Sequence, residues 1–238
     1  MRRAVLALQF MTRLPLPAVR ADEADFAACI RWFPLAGMVV GAAVALAVWL
    51  GLWIDPWLGA LLGLGAWVTI TGALHLDGVG DMADAAGAAH KGRERLSAVL
   101  ADPHIGSFGV TAIAMQLLAK LVLLRLALDA VPLWTLPALC MIARIGPLVW
   151  TLTLPPLHEG LGTRFRAGIG WGHVAAWAVP GIVAAWFAPG LAVAVLAIPA
   201  WRWWIAARIG GISGDGHGAG IEWCESALLL ALVAVAGL

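Results

Sequence analysis

Residues 32–54 read WFPLAGMVVGAAVALAVWLGLWI, a stretch of 23 residues without a charged side chain. At a rise of about 1.5 Å per residue, a helix of this length measures about 34 Å and exceeds the roughly 30 Å of a bilayer's hydrocarbon core. Trp32 and Trp53 stand near its two ends, where aromatic side chains commonly anchor a helix at the membrane interface. The stretch therefore predicts a transmembrane helix.

Six further apolar runs follow along the chain, of which the fifth is short and holds Pro180, and the seventh is also short. The seven runs are Trp32–Ile54, Trp57–Leu74, Ser107–Leu128, Leu133–Leu154, Val174–Phe187, Leu191–Ala207 and Ser226–Leu238. The chain is 62% hydrophobic and 12% charged, whereas a soluble domain has about 25% charged residues. We expect an all-α, polytopic membrane bundle of six or seven transmembrane helices, with residues 1–238 forming a single catalytic domain.

The distribution of positive charge predicts the topology. Lys and Arg occur before the first run and in three long loops, but not in the tight turns at 55–56, 129–132 and 188–190. Positively charged loops face the cytoplasm in most membrane proteins. The loops predicted there are His75–Gly106, Leu157–His173 and Gly210–Trp223. They hold most of the residues capable of chemistry, so we expect the active site on the cytoplasmic side.

Three aspartates stand at helical spacing in the first loop: Asp77, Asp81 and Asp84. Offsets of four and seven residues place all three within about 60° of one helix face. Because like charges one turn apart destabilise a helix, such a cluster is best explained by a bound cation, and carboxylate oxygens suit Mg²⁺ or Mn²⁺. The alternatives are a solvated acidic face, or Asp77 acting only as a helix N-cap.

Other residues of the loops could bind phosphate or support the metal. The candidate phosphate ligands are Lys91, Arg93, Arg95, Arg164 and Arg166, although such cations also set topology. The glycine-rich stretch Gly210–Gly220 could bring backbone N–H groups close to a phosphate, with Asp215 as a metal ligand or polar contact; it could equally be a flexible connector. Asp102 precedes a proline, so it could open the helix of the third run as its N-cap and also bind the metal.

Lys120 and Arg144 lie inside apolar runs, where charge is costly and usually functional or paired. Arg144 is in the middle of the fourth run, so we expect it to contact the substrate or a carboxylate. Lys120 is expected to reach toward a membrane edge.

The motifs resemble those of the cobalamin synthase family, the adenosylcobinamide-GDP ribazoletransferases. The central match is Leu74-His75-Leu76-Asp77-Gly78-x-x-Asp81-x-x-Asp84, followed by Asp102-x-x-Ile105-Gly106-x-Phe108-Gly109. Three more pieces agree in order: Phe10-Met11-Thr12-Arg13-Leu14-Pro15, Phe33-Pro34-Leu35-x-Gly37, and Gly210-Gly211-Ile212-Ser213-Gly214-Asp215 with Glu225. The resemblance covers nearly the whole chain.

The resemblance implies a bacterial inner-membrane enzyme of late vitamin B12 biosynthesis that requires Mg²⁺. It would join adenosylcobinamide-GDP to α-ribazole or its 5′-phosphate and release GMP. Asp77, Asp81, Asp84 and Asp102 would hold the metal, and one carboxylate or His75 would accept the proton of an attacking hydroxyl. Membrane lipid is the expected surrounding, no nucleic acid is expected as a partner, and a homo-oligomer is left open.

Two other functions stay open at this point. CDP-alcohol phosphotransferases also use aspartates on membrane helices, but their DG-x₂-AR spacing is absent, since Gly80-Asp81 occupies the AR position. A secondary transporter could use Lys120 and Arg144 along its pathway, although transporter sites lie near the bilayer midplane.

Overall fold

The computed structural model describes residues 1–89, 92–100, 102–157 and 161–237, and within these ranges the chain is helical without a β-strand. The α-helices are α1 (Arg2–Met11), α2 (Glu23–Cys29), α3 (Phe33–Leu52), α4 (Pro56–Thr71), α5 (Leu74–Ala88), α6 (Arg93–Leu100), α7 (Ser107–Ala130), α8 (Thr135–Ala143), α9 (Ile145–Thr153), α10 (Leu161–Ala167), α11 (Trp171–Phe187), α12 (Ala194–Arg208) and α13 (Gly214–Ala236). Short 3₁₀ segments, Ile30–Trp32 and Pro189–Val193, lead into α3 and α12. The expected all-α fold is confirmed.

Five helical segments of the described chain are long and apolar enough to cross a membrane. They are Glu23–Leu52, Ser107–Ala130, Thr135–Thr153, Pro189–Arg208 and Gly214–Ala236. The number rises to six if α4 and α5 form one bent span. The fifth apolar run forms α11, which is shorter and contains Pro180.

The chain turns sharply between α4 and α5, whose axes differ by 84°. Gly72 and Ala73 form the corner in the left-handed conformation, with φ of 61° and 59°. Helix α5 also carries three carboxylates, one of them exposed, and an ionised carboxylate is costly inside the hydrocarbon core of a membrane. We therefore treat α5, which carries the three predicted aspartates, as lying outside the spans.

The prediction that the seventh span begins at Ser226 is wrong, because α13 begins at Gly214. Most of the stretch read as a glycine-rich loop is the first two turns of this helix, and the hydroxyl of Ser213 caps it by accepting from the N–H of Gly216. Glycine serves close packing here: a Cβ on Gly220 would lie 2.4 Å from Trp201 Nε1 and 2.5 Å from the ring of Trp150. The absent side chains allow α13 to contact its neighbours.

Helix α1, at Arg2–Met11, packs against α2 and α3. Cys29, Cys140 and Cys224 are buried and free, as expected for small apolar residues.

Candidate functional site

Helix α5 carries the three predicted aspartates and meets the beginning of α13. Asp77 is exposed, whereas Asp81 and Asp84 are half-buried. Gly78 allows the close approach of the two helices, because a Cβ there would lie 2.5 Å from the backbone oxygen of Asp215. The structure therefore brings a fourth carboxylate, from a distant part of the chain, to the aspartates of α5.

The carboxylates lie close enough to affect one another's ionisation. Partial burial, followed by the negative charges of Asp215, Asp77 and Asp84, raises the pKa of the Asp81 carboxyl to about 6. A divalent cation would offset the same repulsion that raises this pKa. The α5 carboxylate cluster, meaning Asp77, Asp81, Asp84 and Asp215, is thus a centre of negative charge suited to a cation.

Asp84 has a second contact that fixes its position. Its carboxylate accepts hydrogen bonds from the backbone N–H groups of Gly106, at 2.7 Å, and Gly109, at 3.0 Å. A Cβ on either glycine would lie about 2.5 Å from the Asp84 oxygens. Asp84 therefore satisfies N–H groups at the beginning of α7 and joins that span to α5.

The expectation that Asp102 caps this span is wrong. The N-cap of α7 is Gly106, without a side-chain cap. The carboxylate of Asp102 instead accepts from the backbone N–H of His104 at 3.0 Å and contacts its ring Nδ1 at 2.8 Å. Asp102 still lies near the cluster, because it lines a cavity of about 240 Å³ together with Asp84.

Within the described ranges, no three Asp, Glu, His or Cys side chains already converge on one metal position. Mg²⁺ nevertheless commonly binds through one or two carboxylates, with substrate phosphates and water completing its octahedron. The crowded oxygens of Asp81 and its neighbours are donors of this type. They fit a metal ion that binds together with a phosphate-bearing substrate.

The predicted phosphate ligands are only partly described. Lys91 lies outside the described residues, as do the side chains of Arg93 and Arg95. Arg164 is exposed on α10, and Arg166 donates to the backbone oxygen of Leu154 at 3.0 Å.

A network of buried charges lies between α7, α8 and α13. Lys120 is not directed to a membrane edge as expected: its Nζ lies 2.8 Å from Glu222 and 2.5 Å from Glu225. Arg144 donates from Nη1 to Glu225 at 2.8 Å and to the carbonyl oxygen of Cys140 at 3.0 Å. These four charged side chains are at most 4% exposed and balance to zero. Arg144 thus pairs with a carboxylate, the second of its two predicted roles.

Glu222 was missed by the sequence reasoning, which began the last span at Ser226. A usable signal existed, since Glu222 and Glu225 are one helical turn apart beside an apolar run that contains no compensating cation. Gln116 belongs to the same group, because its amide donates to the Glu222 carboxylate at 2.8 Å.

His75, predicted as a proton acceptor, lies at the beginning of α5 and is 2% exposed. Neither ring nitrogen has a hydrogen-bond partner within the described structure. Burial, with the positive charge of Arg144, lowers the pKa of its imidazole to about 3. His75 lines a cavity of about 170 Å³, which Asp215 of the cluster also lines.

Comparisons with known proteins point to one protein family. The protein-family model described as cobalamin-5-phosphate synthase matches residues 3–233. The chain is 57% identical to the adenosylcobinamide-GDP ribazoletransferase of Novosphingobium aromaticivorans over 100% of this chain and 98% of that protein. It is 52% identical to the one of Thiobacillus denitrificans (97% and 94% covered) and 38% identical to the one of Deinococcus radiodurans (90% and 78% covered). No solved structure matches.

Proposed function

The chain belongs to the cobalamin-5-phosphate synthase family, and from this we propose that it is a Mg²⁺-dependent adenosylcobinamide-GDP ribazoletransferase of the phosphotransferase type. It joins adenosylcobinamide-GDP to α-ribazole or to α-ribazole 5′-phosphate and releases GMP. The observation that supports the metal-dependent chemistry is the meeting of Asp215 with the aspartates of α5, which raises the pKa of Asp81. Mn²⁺ would fit the same oxygen ligands.

The reaction replaces one phosphorus–oxygen bond by another. An oxygen of the acceptor attacks the cobinamide-side phosphorus, the bond from this phosphorus to the bridging oxygen breaks, and GMP leaves with that oxygen. Negative charge develops on the leaving group and on the transferred phosphoryl oxygens, so the site must supply compensating positive charge. Mg²⁺ supplies this charge when it is bound.

We assign the metal to Asp77, Asp81 and Asp84, with Asp102 and Asp215 on its periphery. Five cations of the predicted loops would bind phosphate oxygens: Lys91, Arg93, Arg95, Arg164 and Arg166. Placement on α6, which follows α5 directly, supports this role for Arg93 and Arg95.

When the acceptor is a hydroxyl, its proton must go to a base. A carboxylate with a raised pKa accepts a proton better than an ordinary carboxylate, and an imidazole with a lowered pKa accepts one less well. The lowered pKa of His75 therefore disfavours it as the proton acceptor and leaves a carboxylate beside the metal in this role.

Turnover of the purified protein in detergent tests the proposal. GMP release from adenosylcobinamide-GDP is measured with each acceptor, with and without Mg²⁺ or Mn²⁺. Asp77→Asn, Asp81→Asn and Asp84→Asn should each be inserted in the membrane and lose most of the GMP release, by roughly 100-fold or more, as expected on loss of transition-state charge stabilisation.

The matched control is Asp129→Asn, which removes an exposed carboxylate that pairs with Arg125 at the end of α7. An exposed pair of this kind contributes little to stability, so this variant should keep full activity. Near-normal GMP release in all three α5 variants would contradict the proposed metal site and favour a solvated acidic face.

A further inference from the structure

The 170 Å³ cavity beside the α5 carboxylate cluster lies between α1, α3, α5, α10 and α13. It is lined mainly by apolar side chains, with three phenylalanine rings among them. It also reaches Asp215, so one cavity connects an aromatic wall with the carboxylates. This combination suits a ligand that is aromatic at one end and polar at the other.

The phenylalanine rings present both a face and edges to their neighbours. The rings of Phe10 and Phe33 are nearly parallel, with centroids 5.6 Å apart and an interplanar angle of 8°. Phe165 stands at 84° to the first and 81° to the second, at 5.7 and 5.5 Å. Such an arrangement accommodates a further planar ring by offset stacking or by edge-to-face contact.

Two histidines line the cavity, and they differ in their hydrogen bonds. His217 is satisfied, because Nε2 contacts the hydroxyl of Thr151 at 2.9 Å and Nδ1 contacts the carbonyl oxygen of Ser213 at 2.7 Å. His75 has no partner at either nitrogen in the described chain. Buried polar groups are normally hydrogen-bonded. A ligand bound in the cavity would supply the hydrogen-bond partner that His75 lacks.

The size of the cavity limits what can enter. Pockets for drug-sized ligands measure about 300–1,000 Å³, so 170 Å³ is too small for a guanosine diphosphate group or a corrinoid ring. A planar bicyclic ring fits this volume, and the apolar lining favours such a ring over water.

We propose that this cavity binds the planar heteroaromatic base of the ribazole acceptor, with the phenyl rings against its faces and His75 hydrogen-bonded to its ring nitrogen. The inference rests on the proposed function, in which the acceptor is a benzimidazole nucleoside. A base held here directs its ribose toward Asp215 and thus toward the α5 carboxylate cluster. The cavity selects the acceptor and leaves the nucleotide-linked donor to the outer part of the site.

Filling the cavity tests the proposal. Phe165→Trp should raise the KM for α-ribazole about tenfold or more, a loss in the range of one contact. The KM for adenosylcobinamide-GDP should stay unchanged. Imidazole riboside, whose base has one ring, should be affected less than the bicyclic acceptor. The matched control is Val195→Phe, which enlarges a side chain that is 75% exposed on α12, a helix that contributes nothing to the lining of this cavity, and should change neither KM.

The role of His75 is tested by two replacements. His75→Leu removes the hydrogen bond and should raise the KM for α-ribazole without changing that for the donor. His75→Gln keeps a donor and an acceptor and should recover part of the affinity. An unchanged acceptor KM in both Phe165→Trp and His75→Leu would overturn the proposal.

A binding measurement separates this inference from the proposed function. Free benzimidazole, without any donor, should raise the melting temperature of the wild-type protein and not that of Phe165→Trp. A shift without any GMP release in the complete reaction would support the cavity and contradict the transferase. GMP release without a shift, together with an unchanged acceptor KM in Phe165→Trp, would support the transferase and reject the cavity. If Phe165→Trp fails to fold, absence of a benzimidazole shift in the wild type is by itself sufficient to reject it.

Discussion

The side chain of Arg144 shows how much free energy one buried residue controls. It is fully buried and donates to Glu225, which also contacts Lys120. Removing one partner of a buried ion pair costs about 3–5 kcal/mol, because the remaining charge is left uncompensated. The transporter interpretation invoked Lys120 and Arg144 as parts of a pathway, but pairing with Glu222 and Glu225 accounts for both without one.

Arg144→Met should therefore lower the melting temperature strongly and reduce the yield of folded protein. Arg144→Met combined with Glu225→Gln keeps the remaining Lys120–Glu222 pair balanced and should be more stable than the single variant. A double-mutant cycle of thermal unfolding in detergent measures the coupling. Additive effects would show that the pair in the structure carries no coupling energy. Full GMP release by the double variant would also show that Arg144 is not needed for substrate binding.

The pKa of Asp81 predicts a pH-dependent effect on stability. A folded-state pKa near 6, above the ordinary value of 3.8, means that the folded protein binds this proton more tightly than the unfolded one. Stability from this group is therefore present at low pH and is lost as the pH rises from about 4 to 6.

Asp81→Asn removes the ionisable carboxyl and with it the loss of stability that its ionisation causes. At pH 8 without divalent cations, the variant should be more stable than the wild type by about 1 kcal/mol, allowing for screening of a half-buried group. The difference should shrink as the pH falls through 6. Melting curves across this range test it, with Asp129→Asn as the control. A variant that is less stable than the wild type at pH 8 would contradict the crowding of carboxylates.

Among the elements, the contact between α5 and α13 determines the geometry of the site. It depends on glycine at positions where a side chain has no room, above all Gly78 against the backbone of Asp215. From sequence, the glycines before Gly220 suggested a loop, because glycine is permissive in turns and unfavourable in helices. Their use in helix packing became visible only with the neighbouring helices, since it depends on contacts distant in sequence.

Gly78→Ala should push α13 away from α5, since its Cβ would lie 2.5 Å from a backbone oxygen that cannot rotate aside. We expect lower GMP release and a higher Mg²⁺ concentration for half-maximal activity. Gly65→Ala is the control, because a Cβ there meets nothing within 4 Å and alanine favours the helix by about 1 kcal/mol. The interpretation fails if both variants behave alike.

At the scale of the whole molecule, the sequence predicted the helical class and most of the spans. Span-length apolar runs and tight turns are local signals, so the bounds of α3, α4, α7 and α8–α9 lie within three residues of prediction. The aspartates of α5 were found from spacing. The partners of Lys120 and Arg144 and the cavity at His75 were not, because each depends on residues that are distant in the sequence.

We expect the α5 carboxylate cluster to lie on the cytoplasmic side of the bacterial inner membrane. Single cysteines at the exposed positions Glu94, Thr163 and Gly214 should resist an impermeant thiol reagent in intact cells, and one at Asp129 should react. The native cysteines are buried and should give little background. Reaction from outside at any of the first three positions would reverse the orientation.

The balanced charges of the bundle have a consequence for biosynthesis. Lys120 and Arg144 are synthesised long before their partners Glu222 and Glu225, which belong to α13. Until α13 is synthesised, both cations lack their carboxylate partners in or beside the membrane. The apparent free energy of inserting such a cation at a helix centre is about 2.5–3.5 kcal/mol. The nascent chain therefore cannot balance these charges before α13 is synthesised, and a product truncated before Gly214 should be removed by membrane proteases instead of accumulating.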